Sequence, residues 1–336
     1  MADLVAELAA RVADCAARKQ PLRIRAGGTK DFYGARQEGE VLDLSPCRGI
    51  VAYEPKELVL TVRAGTPLEE VEAALAAERQ MLPFEPPRFE HGGAQATIGG
   101  TVATGLSGPR RPYTGAVRDF VLGTRIINGK GEDLAFGGRV IKNVAGYDVS
   151  RLMTGALGTL GVLTEISFKV LPRPAAESTL VFEMSEEEGI QAVNRWAGQP
   201  LPLSATAWQA GTLRVRLSGA PSAIEAARRK MGGEEAGDAA AYWRDLREHR
   251  LPFFAGDAPL WRLSVPQTAA PLALPHPVLV EWGGGLRWTA GNTDAVTVRS
   301  TVERVGGHAT LFRGGDKAVG VFHPLAPAIR RAAPPK

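Results

Sequence analysis

The chain has 336 residues, 44% of them hydrophobic and 23% charged, enough for two ordinary globular domains or one large one, which sets aside fibrous and disordered classes. Its 40 basic and 36 acidic residues leave a formal charge of +4 without a long block of one sign, so bulk charge gives no argument for nucleic acid. Two cysteines, Cys15 and Cys47, are too few for a four-thiolate cluster or a disulfide framework. A reduced, cytoplasmic setting is expected, with neither a secretion signal nor a run of about 18 apolar residues to span a membrane.

The opening segment spaces Leu4, Val5, Leu8, Val12 and Cys15 as one face of a helix. Leu22, Ile24 and Ala26 then alternate with Arg23 and Arg25, a half-buried strand ending in Gly27-Gly28. Val41–Leu44 and Leu58–Val62 read as further strands. Thr66-Pro67-Leu68-Glu69 carries helix-start signals, with Thr66 as cap, Pro67 in the first turn and Glu69 closing a capping box, for a helix to about Gln80. From Glu85 to Gly161 short apolar runs are split by glycine, so backbone more than side chain is presented there.

Pro172-Arg173-Pro174 marks a change in composition and a domain boundary, giving 1–173 and 174–336. Beyond it come two strand–helix pairs, Thr179–Met184 with Glu186–Ala197 and Leu213–Leu217 with Ser222–Met231. Strands at Leu260–Val265, Val278–Glu281 and Ala309–Arg313 and a helix at Asp294–Val305 follow. Together they predict a small antiparallel sheet with helices on one face, a ferredoxin-like α+β unit.

The common nucleotide fingerprints are missing: there is no Gly-x4-Gly-Lys-Ser/Thr, and the Gly27-Gly28 loop lacks the third glycine and following helix of a dinucleotide turn. What remains is several glycine loops in one region, suited to bringing main-chain N–H groups close to an extended anionic cofactor. Singly, each loop is more often a plain turn.

In combination the loops resemble the FAD-binding flavoproteins of the vanillyl-alcohol oxidase type, also called PCMH-type. Pro21–Gly34, PLRIRAGGTKDFYG, resembles their first phosphate-binding loop, and Ala96–Glu132 their second. Lys142–Pro174 carries the family's Lys-Asn-x-x-Gly-Tyr-Asp segment and its Gly-x-Leu-Gly-x-x-Thr-Glu run. Within that family GPRRP, VRDFVLGTRII and KNVAGYD are closer still to the FAD-binding E-type subunits of bacterial glycolate oxidases.

The resemblance implies an α+β protein, with a PCMH-type FAD-binding domain of two α/β subdomains followed by a smaller domain of antiparallel sheet and helices. It places Ala26, Gly27, Gly28, Thr29, Lys30 and Asp31 around the pyrophosphate. Thr97, Ile98, Gly99, Gly100, Ala103, Gly105, Gly115 and Asp119 would follow along the cofactor, and Asn143, Gly146, Tyr147, Gly161 and Val162 would line its flavin side. Some relatives attach flavin through a His after the first double glycine; Thr29 stands there, so the FAD is expected to be non-covalent, with His91 the lesser attachment candidate. Relatives end in an Asn-Pro-Gly-Arg-like turn that this chain lacks, which implies a shortened cover over the cofactor.

Oxidising a 2-hydroxy acid needs a base near neutral pH and a cation for the carboxylate. His91, His249, His276, His308 and His323 are each more often surface residues than catalysts, and the D-type relatives' His-rich metal motif is missing, so no metal is expected. Arg110, Tyr147 and His308 are the catalytic candidates. Arg110 and Arg111 are open to three readings: a carboxylate clamp, a phosphate contact (preferred) or solvated charges. Trp261, Trp282 and Trp288 beside Arg262 and Arg287 suit either a docking surface or a sheet core.

The implied function is the FAD subunit of a complex oxidising glycolate to glyoxylate. A D-type flavoprotein subunit and an iron–sulfur subunit would be its partners, and through them it would lie at the inner face of the plasma membrane. A self-sufficient FAD-dependent 2-hydroxy-acid dehydrogenase and a scaffold with a decayed flavin site are the alternatives.

Overall fold

The structure is a computed structural model and describes residues 2–35, 37–138 and 147–324. In chain order the elements begin with α1 (Ala2–Ala17), β1 (Leu22–Arg25), β2 (Glu40–Asp43), β3 (Ile50–Glu54), β4 (Val59–Arg63), α2 (Leu68–Ala77) and β5 (Gln80–Met81). Then come α3 (Ile98–Thr104), α4 (Arg111–Thr114), α5 (Val117–Phe120), β6 (Val121–Ile127), β7 (Asp133–Gly137), α6 (Val149–Leu152), β8 (Val162–Lys169) and β9 (Leu171–Pro172). The remainder is β10 (Ala176–Glu183), α7 (Glu186–Ala197), β11 (Leu203–Gln209), β12 (Thr212–Gly219), α8 (Pro221–Met231), β13 (Glu234–Glu235), α9 (Ala239–Arg247), β14 (Leu260–Ser264), β15 (Val278–Glu281), β16 (Leu286–Ala290), α10 (Ala295–Glu303) and β17 (His308–Arg313).

β1 and β2 pair in parallel, and the apolar stripe of α1 packs on them, with Leu8 and Val12 against Leu42, Leu44, Ile127 and Val162. The next sheet has the order β3-β4-β8-β6-β7 with every pair antiparallel. Leu68, Val71 and Leu75 of α2 and Ile98 and Val102 of α3 cover it, burying Leu60, Val62, Ile166 and Phe168 completely. Each such aliphatic or aromatic side chain taken out of water contributes roughly 1.5–3 kcal/mol, which is what holds these short helices in place.

The start of α2 differs from its sequence reading. Thr66 does not cap it: the N-cap position is Pro67, and no side-chain capping bond forms. The Thr66 hydroxyl instead accepts from Gly49 N at 2.8 Å and donates to Gly49 O, tying the strand end to the β3 loop.

The second sheet is larger than expected. Eight antiparallel strands run β13-β10-β12-β11-β15-β16-β14-β17. Numbered within each half, the order is 4-1-3-2 followed by its mirror 2-3-1-4, so two split β-α-β arrangements share a sheet through the β11–β15 edge. In the first half helices follow its first and third strands; in the second half the crossover from β14 to β15 has no helix. β11, α9 and β16 escaped the sequence reading.

Helices lie on both faces, not one. Val193 of α7, Ile224 and Ala227 of α8, and Val298 and Val302 of α10 pack on the outer face against Leu213, Val215, Leu217, Leu263 and Leu311. Tyr242, Trp243 and Leu246 of α9 pack on the other, together with Leu106, Phe32, Tyr33 and Phe89 from the first part of the chain. The inner face is therefore pressed against the residues that carry the glycine loops.

A buried cluster of charges holds this junction. Arg110 Nε reaches Glu85 at 3.1 Å, Arg216 of β12 reaches Glu85 at 2.8 Å, and Arg110 also reaches Glu177 of β10 at 2.5 Å. Both arginine side chains are only 7% exposed, so neither has water to fall back on. Burial alone would raise the Glu85 carboxyl, but Arg216 and Arg110 overcome it and hold Glu85 below the ordinary carboxylate range. A second tie is Glu248, which accepts from the backbone N–H of Arg88 at 3.0 Å and of Phe89 at 2.9 Å.

Removing one partner of a buried ionic cluster leaves the others uncompensated, at a cost of about 3–5 kcal/mol. Glu85→Ala is expected to lose that much in urea unfolding, and Glu85→Gln, which keeps an acceptor oxygen, distinctly less. A loss below about 1 kcal/mol for the alanine variant would show that the cluster does not hold the two parts together.

Candidate cofactor cleft and inner chamber

A cleft of about 340 Å³ opens between β1, the start of α3 and the loop before β8. Of the residues expected to hold cofactor, Ala26, Gly27, Gly28, Thr29, Lys30, Asp31, Thr97, Gly99, Gly100, Ala103 and Gly161 line it. The loop Gly27–Lys30 forms one wall. Gly28 has φ +73°, in the left-handed region that strongly favours glycine. Gly99 lets α3 approach β4 closely, since a Cβ would meet that of Ala64 at 2.8 Å.

The wall presents donors. Among the described residues the backbone N–H groups of Gly27, Gly28, Thr29 and Lys30 make no hydrogen bond. Lys30 is 8% exposed, and its ammonium has only the neutral Thr29 hydroxyl and Arg88 carbonyl in reach, both at 3.3 Å. Burial pulls its pKa down to about 8, against the more distant carboxylates of Glu248 and Glu90. Free amides and a buried ammonium without an acid fit a diphosphate. Asp31 lines the same wall, but Arg23 at 2.6 Å and Arg25 at 2.8 Å neutralise its carboxylate.

Other expected residues lie elsewhere. The Ile98 side chain is fully buried in the core, and its N–H already donates to Thr66 O at 3.0 Å. Val162 is 3% exposed and packs under α1. Gly105 ends α3 in the left-handed conformation, outside the cleft. Gly115 and Asp119 border a separate cavity of about 320 Å³ beside Arg111 and Trp282, where the Asp119 carboxylate accepts from Ala116 N at 2.8 Å. Tyr147 is 97% exposed and takes no part in the cleft wall. Asn143 and Gly146, with most of the Lys-Asn-x-x-Gly-Tyr-Asp segment, lie outside the described residues, as does the C-terminal end.

The catalytic candidates change as well. Arg110 is committed to Glu85 and Glu177, so neither the phosphate nor the carboxylate reading survives for it. His308 sits at the exposed start of β17, lowered by partial burial and by the charges of Arg262 and His323. His91 is exposed and does not line the cleft. The tryptophans form sheet core, not a docking surface: Trp261, Trp282 and Trp288 are 3%, 6% and 4% exposed. Arg287 is fully buried and donates to the carbonyls of Ala269, Ala270 and Gly284.

Sequence reasoning missed Tyr33, Leu157, Gly158, Thr159 and Phe322 on the cleft wall. The first four lie in KDFYG, at the end of the first loop, and in the glycine-split run 155–161, and were within reach. Phe322 had no signal; it arrives because Lys317 donates to Phe32 O at 2.9 Å and Gly34 O at 3.0 Å, clipping the C-terminal segment to the first glycine loop.

Behind the cleft, between the inner sheet face and Leu106–Pro109, lies a smaller chamber of about 30 Å³. His249 forms part of its wall, stacked on Phe254 with ring centroids 4.0 Å apart and 4.7 Å from Trp288. Burial, with the charges of Arg313 and Arg262, drives its pKa down to about 3, so the imidazole is neutral at physiological pH. Opposite it, Glu281 accepts from Trp288 Nε1 at 2.7 Å, and burial pushes its carboxyl up to about 7 against the opposing pull of that bond and of Arg262.

Against this geometry the comparisons with known proteins are consistent. Residues 2–137 match the family model described as "FAD binding domain". The fold is that of p-cresol methylhydroxylase, whose solved structure superposes with a TM-score of 0.66 at 16% identity over 93% of this chain and 80% of that one. Half of the chain, 52%, is 33% identical to 36% of a D-lactate dehydrogenase of Anaerostipes hadrus. The protein is thus an FAD-binding oxidoreductase of the PCMH type. Glycolate oxidase subunit GlcE of Escherichia coli (strain K12) is 50% identical over 93% of this chain and 87% of its own length, and the chain belongs to that subunit family.

The chamber residues set the pH dependence of stability. The native state holds His249 neutral down to about pH 3, whereas an unfolded imidazole protonates near 6.5. Unfolding therefore takes up a proton between those values, and stability falls as pH drops from 6.5 toward 3. Glu281 acts from the other side: its folded pKa of about 7 lies above the ordinary 4.5, so stability falls as pH rises from 4.5 through 7. The two contributions nearly cancel between pH 4.5 and 6.5, so in melts across pH 4–8 His249→Phe is expected to leave a limb that falls as pH rises from 4.5 through 7, and Glu281→Gln a limb that rises up to about pH 6.5. Profiles unchanged by either substitution would mean that these groups are not buried as described.

Proposed function

We propose that this chain is the FAD-carrying subunit of a glycolate-oxidase-type complex that oxidises a small 2-hydroxy acid, with a D-type flavoprotein subunit and an iron–sulfur subunit as partners. The observation that carries the reading is the donor wall Gly27–Lys30, whose free amides and acid-free ammonium match a diphosphate; kinship with GlcE supplies the class of reaction. Bound there, FAD would supply a two-electron acceptor that no side chain offers. Gly27–Lys30 would hold its diphosphate, and Thr97, Gly99, Gly100 and Ala103 with the Leu157–Gly161 loop would enclose the rest.

The cysteines support placing any iron–sulfur cluster on another chain. Cys15 and Cys47 are both buried at 1% exposure on different elements, and a cluster generally requires four thiolates. Electrons leaving one at a time must pass to another chain or a quinone. Among the described residues no helix is long and apolar enough to cross a membrane.

The purified chain mixed with FAD is expected to turn yellow and to release all its flavin into the supernatant on acid precipitation, because Thr29 offers no attachment atom. Lys30→Gln should weaken FAD at least tenfold, about 1.4 kcal/mol, by absorbance titration. Adding glycolate with the D-type and iron–sulfur subunits should reduce an external acceptor, and omission of this chain should abolish that reduction. A colourless chain, or a complex indifferent to its omission, overturns the reading.

A further inference from the structure

After β17 the chain turns back along the edge of the large sheet as a strap, residues 314–323, fastened to three different neighbours. Toward the sheet, the outward N–H of Leu311 donates to Val321 O at 2.8 Å and that of Ala309 to His323 Nδ1 at 3.2 Å, so the strap covers an edge that would otherwise be unpaired. Toward α10, Arg299 donates to Val319 O at 2.9 Å and to Gly320 O, and Glu303 lies 3.0 Å from His323 Nε2. Toward the first glycine loop, the Lys317 ammonium donates to Phe32 O at 2.9 Å and to Gly34 O at 3.0 Å, and among the described residues no carboxylate pairs with it.

Only Val321 of the strap is buried, at 4% exposure, so its position depends on these hydrogen bonds more than on packing, and they can open without unfolding the sheet. Gly314, Gly315 and Gly320 hold φ of +70°, +66° and +80°, which places left-handed turns on both sides of Lys317–Val319, where a backbone can swing. Phe322 is 45% exposed, lines the cofactor cleft, and meets Tyr33 edge-on with ring centres 6.2 Å apart. A half-exposed aromatic face gains from a flat ring laid against it. The loop that Lys317 grips is a single unit, since Asp31 N donates to Gly28 O at 3.2 Å and Tyr33 N to Lys30 O at 3.0 Å. A hold on the carbonyls of Phe32 and Gly34 therefore also fixes the donor wall Gly27–Lys30.

We propose that residues 314–323 are a latch on the cofactor cleft: the strap lifts to admit FAD, then closes with Phe322 over it and Lys317 on the first glycine loop, so that release of FAD waits on the latch. Lys317 is a positioning residue that acts through the loop carbonyls, and Phe322 is the cover. The inference rests on the reading of the cleft as the FAD site; the fastening of the strap stands on its own hydrogen bonds.

The test measures uptake and release of radiolabelled FAD separately on the purified full chain, release being started by an excess of unlabelled FAD. Phe322→Ala, a change at an exposed position that leaves every fastening in place, should release FAD at least tenfold faster with uptake within threefold of the parent. Lys317→Met should do the same, and Lys317→Arg, which can still donate to both carbonyls, should bring release back to within threefold of the parent. FAD should also slow amide hydrogen exchange at Leu311, whose N–H is held by the strap, at least tenfold. Release rates within threefold of the parent in both Phe322→Ala and Lys317→Met, slower uptake as the main effect, or exchange at Leu311 indifferent to FAD overturns the latch. A parent chain that takes up no FAD fails the reading of the cleft, and the latch falls with it; a chain that takes up FAD and releases it equally fast from every variant fails the latch alone.

Discussion

The carboxylate of Glu85, gripped by Arg110 from its own half of the chain and by Arg216 from the large sheet, is the constraint on which the rest of the architecture turns. Three groups that would each be costly to bury alone become acceptable only together. Their mutual attraction sets how the eight-stranded sheet lies on the glycine-loop region. Phe84, next to Glu85, accepts from Gly108 N through its carbonyl, and Gly108 O in turn accepts from the indole of Trp282. The cluster is thus linked by two hydrogen bonds to the chamber wall. A shift at Glu85 would be felt where Arg262 and Glu281 sit.

That arrangement divides the labour between backbone and side chains. The cleft offers a cofactor mostly main-chain N–H groups plus one lysine, which is economical because amides carry partial charge without needing a counter-ion. The chamber offers side chains, a guanidinium and a carboxyl, whose protonation the low-dielectric interior shifts strongly. The two meet around Tyr33, which lines the cleft and packs on Phe312 of the sheet core. Burial, with Arg262 partly opposing it, raises the Tyr33 phenol above its ordinary pKa. It is neutral at working pH and leaves Arg262 uncompensated.

Much of the local structure was legible in the residues. Alternation in Leu22–Arg25 and periodicity in Leu4–Cys15 specified β1 and α1, and Ser185 with Glu188 capped α7 where the pattern broke. The misread parts share a cause. β11, with its run Leu203–Gln209, and β16, with Arg287 and Trp288, carry polar or charged residues at buried positions, so their pattern does not look like a strand until the partners that satisfy those groups are known. Thr66 has the composition of a cap, yet a tertiary neighbour, Gly49, claims its hydroxyl.

The sequence by itself determined the glycine loops, because a positive φ at Gly28 and a close helix approach at Gly99 are properties of single positions that favour glycine strongly. It determined the kinship with the FAD-binding flavoproteins for the same reason. Only the tertiary structure decided what each charge does. Arg110, Arg111, Arg216 and Arg262 are interchangeable when read along the chain. They become a buried tie or a free guanidinium through carboxylates as much as 131 positions away, and the strength of an ionic contact depends on distance and burial, neither of which is written in local order.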